Sequence, residues 1–175
     1  MTTSFRACRR CATTLTGLSD VLTSPWGARL PDTHCTMLTD PADLGMVGGH
    51  LTQVADQAQD LLLIYYAGHG LIVQNELYLA LSTTSRDLVD WTAAPFSLLQ
   101  RVIANSAASN RVLILDCCFS GRAIEAMADP GSVVAGQIEI SGTYTLTATS
   151  ANTPARAPRG AQHTTFTGAF AHTAS

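Results

Sequence analysis

The sequence has no lysine: all ten basic residues are arginine, a bias we read as compositional rather than functional. Charge of either sign is scarce, at 13% of residues, and the net charge is −3 with a pI near 5.9. That balance supplies no basic surface for nucleic acid and no attraction to an anionic bilayer, so neither is expected as a partner. No apolar run approaches the ~20 residues that a membrane-spanning helix needs. Arg6, Arg9 and Arg10 are followed by no continuous apolar core, so a secretory leader is not expected. Five cysteines, odd in number and irregularly spaced, give no disulfide framework and point to a reduced, cytoplasmic setting. No loop gathers acids at calcium-ligand spacing. Cys8-x-x-Cys11 has no second pair to complete a zinc site, and its spacing of three suits the packed stripe of a helix. No metal or cofactor is expected. Internal repeats and heptads are also missing.

What the chain does have is apolar mass. At 46% of 175 residues it is enough for one domain with a sizeable core. Phe5, Cys8, Ala12, Leu15, Leu18 and Leu22 recur at helical spacing, and Ser24-Pro25 should end that helix. A short strand is expected at 35–38, then a helix capped by Asp40 and opened by Pro41, with Leu44, Val47, Leu51, Val54 and Ala58 on its apolar stripe. Glu76 to Leu81 reads as a strand after a hairpin-like excursion. Pro95 should open a helix with Phe96, Leu99, Val102, Ile103 and Ala107 inward. A short helix is expected from Arg122 to Met127, a break at Pro130-Gly131, and a strand over Thr143 to Ala148. Residues from Asn152 to Thr165 read as loop. Strands alternating with helices imply an α/β fold with a mostly parallel sheet.

Two stretches carry the chemistry. In Arg111-Val-Leu-Ile-Leu-Asp-Cys-Cys-Phe-Ser-Gly121, residues 112–115 are aliphatic without alternation, as in a strand buried on both faces of a parallel sheet. Leu61-Leu-Leu-Ile-Tyr-Tyr66 has the same build and runs into Ala67-Gly-His-Gly70, read as a loop whose glycines allow close approach of the backbone to a ligand. Reacting groups gather outside the carboxyl ends of such strands. If the two strands are parallel neighbours, His69 and a cysteine, Cys117 or Cys118, emerge at one edge, and an imidazole facing a thiol makes an activated nucleophile. Cys118 follows His69 by 49 residues (118 minus 69). Cys117 should point into the sheet, since strand neighbours face opposite ways. His34, His50, His163 and His172 lack such a setting and are expected at the surface or in local hydrogen bonds.

Tyr-Tyr-Ala-Gly-His-Gly (65–70) resembles the histidine motif of caspase-like cysteine peptidases, and Asp-Cys-Cys-Phe-Ser-Gly (116–121) resembles the metacaspase form of their cysteine motif. The resemblance covers roughly Thr33 to Phe170 and implies a caspase-like three-layer sandwich. It selects Cys118 as nucleophile and His69 as its acid–base partner, with the backbone N–H groups of Gly70 and Cys118 as oxyanion donors. It places Asp116 at the rim of a substrate pocket that takes arginine or lysine before the cleaved bond. The implied activity is peptide-bond hydrolysis, with protein or peptide substrates as partners. Residues 1–32 would form an N-terminal helix and loop, 33–128 the dyad-bearing core, and 129–175 a linker and the start of the small portion. Arg122, Arg156 and Arg159 sit in or beside the segment where relatives are cut, which motivates self-cleavage there.

The sequence departs from the family at both ends. Relatives begin with an apolar strand that lies between the strands corresponding to 35–38 and 61–66, and nothing here supplies it. After Thr165-Phe-Thr-Gly-Ala-Phe170 the expected helix and strand do not follow, so a further domain or small portion outside this chain is expected. The strand at 35–38 must then pair directly with 61–66 or leave a gap. Two other functions stay open: a catalytically inactive interaction or signalling domain, and a thiol redox protein using the adjacent Cys117 and Cys118, whose disulfide would be strained.

Overall fold

The computed structural model describes residues 9–120 and 138–147, with backbone alone at 9–10 and 118–120. The expected helix at 122–127, the tail from 148 onward, and Arg122, Arg156 and Arg159 lie outside the described residues. So do Phe5, Cys8, His163 and His172.

Helix α1 (Arg9–Thr23) follows the apolar stripe, burying Leu18 and the Thr14 hydroxyl side, and it ends at Ser24 as expected. A turn follows in which Gly27 is required, because a Cβ there would run into the Val21 carbonyl oxygen. The expected strand at 35–38 does not form: a single 3-10 turn at Asp32–His34 leads into a segment without regular structure. Helix α2 (Leu44–Gln57) starts later than expected. Its cap is Asp43, whose carboxylate accepts the Met46 N–H at 2.6 Å, while Asp40 has a positive φ of 47° incompatible with a helix entry.

Strand β1 (Leu61–Val73) continues straight through what was expected to be the histidine loop. Gln74 and Asn75 both have positive φ, 48° and 67°, the signature of a tight two-residue hairpin turn into β2 (Glu76–Leu79). Short α3 (Val89–Thr92) and β3 (Ala94–Pro95) precede α4 (Phe96–Asn105), which Pro95 opens and which buries Phe96, Leu99 and Ile103. Ala107 falls beyond it and is exposed. Strand β4 (Asn110–Ser120) and strand β5 (Tyr144–Thr147) complete an open, mixed, five-stranded sheet of order β3-β2-β1-β4-β5. β1, β4 and β5 are parallel, and β2 is antiparallel to both of its neighbours.

Alternate residues of the sheet bury on one face against α4 and α2: Ile64, Tyr66 and Ile72 from β1, with Leu113, Leu115 and Cys117 from β4. Each such aliphatic side chain contributes about 1.5–3 kcal/mol. On the other face Leu71 and Val73 pack with Tyr78, Val89 and Ala93. β4 is doubly buried, as its uninterrupted aliphatic run requires; Leu113 and Leu115 are 0% exposed. β1 is not. Residues 63–69 are only half-buried and Leu61 is 52% exposed, because among the described residues no strand is laddered to β1 before Gly70 on the side away from β4. Among the described residues no helix is long and apolar enough to cross a membrane.

Candidate active site

The parallel ladder between β1 and β4 runs from Leu61 opposite Asn110 to Leu71 opposite Ser120, and within it His69 is registered against Cys118. Residues paired this way lie on strands about 4.8 Å apart and share a face of the sheet. The two motif residues are thus brought together, one beside the other. They lie within their strands rather than just beyond the strand ends, as the sequence suggested: β1 continues past His69 to Val73, and β4 past Cys118 to Ser120. Cys117 faces the opposite way; it is 1% exposed and belongs to the core formed with α4. Adjacent cysteines on opposite faces of a strand are poorly placed for a vicinal disulfide.

His69 is held by a device the sequence reading missed. The Tyr66 ring folds along β1 so that its Oη accepts the His69 N–H at 3.1 Å and lies 2.9 Å from the His69 carbonyl and 3.0 Å from the Ala80 carbonyl. Its single hydroxyl hydrogen serves those two carbonyls. The same His69 carbonyl also accepts the Ala80 N–H at 2.9 Å, which fastens β1 to the end of β2 at this point. Burial pushes the Tyr66 phenol well above its ordinary value, with the nearby Cys117 thiol adding to the shift. Gly68 makes the arrangement possible: a Cβ there would stand 2.7 Å from Tyr66 Cζ. The glycine before the histidine therefore makes room for a phenol ring.

Partial burial lowers the His69 pKa below its ordinary 6.5, and the positive charge of Arg86 lowers it further. Arg86 is exposed, on a loop stapled by Thr84 and Thr92: Leu81 N–H donates to Thr84 Oγ1 at 2.8 Å, Thr84 Oγ1 to the Thr92 carbonyl at 2.8 Å, and Ser85 N–H to Thr92 Oγ1 at 3.0 Å. A neutral imidazole at pH 7 is the form that accepts a proton. Between the lowered folded value and 6.5 the unfolded chain binds a proton that the folded chain does not, so stability falls as pH drops through that window. His69→Gln should flatten this part of the profile, measured as urea midpoints of both proteins between pH 8 and pH 5.

Asp116 shares the face of His69 and Cys118 by strand parity, but it is not at an open rim. It is 4% exposed, and Tyr65 Oη donates to its Oδ2 at 2.6 Å. The correction has the same cause as before: β4 continues past it, so position 116 is inside the sheet. Gly70 is registered with Phe119 on one side and Leu79 on the other, again within the ladder.

His50 is exposed, with Nδ1 2.9 Å from the Met46 carbonyl, and His34 is exposed, both as expected. Among the described residues no three of His, Cys, Asp and Glu cluster as metal ligands would. No protein-family model matches the chain, and no curated protein matches it. Tyr65, Tyr66 and Arg86 are the site residues that sequence reasoning did not single out. The tyrosines were read as strand residues opening the histidine motif, with no role of their own, and Arg86 carried no motif.

Proposed function

We propose that the chain is a caspase-like cysteine endopeptidase, and the observation that carries this reading is the register of His69 against Cys118 on adjacent parallel strands. In the proposed reaction neutral His69 takes the Cys118 thiol proton, and the thiolate attacks the carbonyl carbon of the scissile peptide. The imidazolium returns that proton to the leaving amine nitrogen as the C–N bond breaks, leaving a thioester. Water then attacks the thioester, giving up a proton to His69, and the C–S bond breaks to release the carboxylic acid and restore the thiol. The backbone amides of Gly70 and Cys118 serve as oxyanion donors on condition that β1 and β4 part beyond residue 69, since N–H groups within a ladder are directed at the neighbouring strand.

Asp116 is proposed to set a preference for arginine, or lysine, before the cleaved bond, by a charge-assisted pairing with the substrate cation, on condition that the sheet opens beside it, since its carboxylate is buried in the ladder. Its bond to Tyr65 holds the carboxylate in one orientation. Asp116→Asn keeps an acceptor for Tyr65 and removes the charge, so hydrolysis of a fluorogenic peptide ending in arginine should fall about 10- to 100-fold in kcat/KM relative to the same peptide ending in glutamine. Loss of thermal stability with the preference unchanged would assign Asp116 to the fold alone. Turnover of neither peptide by the wild-type chain would reject the peptidase reading in favour of a non-catalytic interaction domain, which the open side of β1 favours.

A further inference from the structure

The side of β1 away from β4 is occupied by β2 only from Gly70 onward. Between Leu61 and Gly68 no strand among the described residues is laddered to it. The His69 carbonyl points to this side, since it accepts the Ala80 N–H, and by the two-residue alternation of a strand the backbone groups of Leu61, Leu63 and Ala67 point the same way. Lining the same cleft, of about 1130 Å³, is segment 33–41, irregular after the 3-10 turn, together with α1 and α2. The cleft exceeds the ~300–1,000 Å³ typical of small-molecule sites. Its long wall, eight residues from Leu61 to Gly68 at ~3.3 Å each, runs for about 26 Å, the length of a β-strand.

The chemistry of the walls is specific. Leu61 is 52% exposed and Met37, across the cleft, 45% exposed, whereas residues 113–117 of β4, which lies between β1 and β5, are all buried. Among the described residues no arginine lines the cleft, and the charged lining residues are two acids: Asp60 directly before Leu61, and Asp40 toward the other end, next to Pro41, whose carbonyl accepts the Ser82 N–H at 3.1 Å.

We infer that this cleft is a strand-acceptor slot that binds an extended segment of another polypeptide. The segment is apolar and uncharged over about eight residues, carries basic residues at its ends, and is held by main-chain hydrogen bonds to β1. The apolar walls select its middle, and Asp40 and Asp60 complement its ends. This inference does not depend on the peptidase reading, because it uses no property of Cys118.

The test uses a fluorescein-labelled peptide of alternating valine and threonine, as long as the open side of β1, with arginine at both ends. Binding is followed by fluorescence anisotropy with the wild-type chain and, so that cleavage of the probe is not mistaken for release, with Cys118→Ala. Saturable binding is expected, weakened at least ~10-fold when alternate backbone amides of the peptide are N-methylated. It should also weaken, with reduced salt dependence, in the Asp40→Asn, Asp60→Asn double variant. Equal binding of the methylated peptide, or no saturable binding, overturns the inference. So does light scattering that finds a dimer which the peptide cannot dissociate, since the occupant would then be a second copy of this chain.

Discussion

Cys118→Ala is expected to remove hydrolysis of arginine-ending peptides by ~10,000-fold or more, while Cys117→Ala leaves kcat and KM near their wild-type values. The two thiols are neighbours in sequence, yet the sheet separates their fates. Cys118 is on the face of His69 by register, and Cys117 is on the other, packed with Leu113, Leu115, Phe96 and Ile103. Truncating Cys117 removes a small buried side chain and should destabilise the fold by about 1–2 kcal/mol, a shift in Tm of a few degrees. Assay of both variants beside thermal melts separates the roles. Equal loss of activity in both, without unfolding, would mean that the parity assignment is wrong.

Gly68→Ala should have the second-largest effect, on stability and activity together. A methyl group 2.7 Å from Tyr66 Cζ cannot be accommodated while the ring stays, so the phenol must leave its place over the strand. Its departure strips the His69 N–H and the carbonyls of His69 and Ala80 of a shared partner. The His69 carbonyl keeps the Ala80 N–H as a donor, so the cost comes from the other two part-buried groups, at about 1–3 kcal/mol each, and a total of roughly 2–6 kcal/mol is expected. Tyr66→Phe keeps the ring and removes only the hydroxyl, so it should destabilise less, by about 1–3 kcal/mol, and lower kcat more than it raises KM, because it loosens the imidazole and not the substrate. The pair of variants, compared by denaturant unfolding and steady-state kinetics, distinguishes crowding from the lost hydrogen bonds. If Gly68→Ala melts like wild type, the latch has no energetic weight.

The aliphatic run at 112–115 made β4 readable, since only a strand covered on both faces tolerates four such residues in a row. The same logic failed for 61–66. The run was equally apolar, but burial is set by neighbours, and the segment at 35–38 that should have supplied one forms no strand. Motif spacing located His69 and Cys118 without revealing that both sit inside strands, because strand ends depend on how far the partner strand continues. Asp116 was placed in the right neighbourhood and at the wrong depth for that reason. Asp40 and Asp43 both precede an apolar helical stripe, and sequence alone did not choose between them. The Asp40 backbone conformation and the tie from Pro41 to Ser82 decided it. The Tyr66 latch was hidden because its hydroxyl bonds to backbone groups brought close by the β1–β2 hairpin, a tertiary effect that no local pattern encodes.

The central claim is that His69 and Cys118 stand near enough to share a proton. Its most direct test is the pH dependence of Cys118 alkylation by iodoacetamide, mapped by mass spectrometry to that residue, in the wild-type chain and in His69→Ala. The account predicts a thiolate that reacts below pH 7 in the wild type and whose reactivity moves to the ordinary thiol range near 8.5 in the variant. Identical profiles for the two proteins would contradict it.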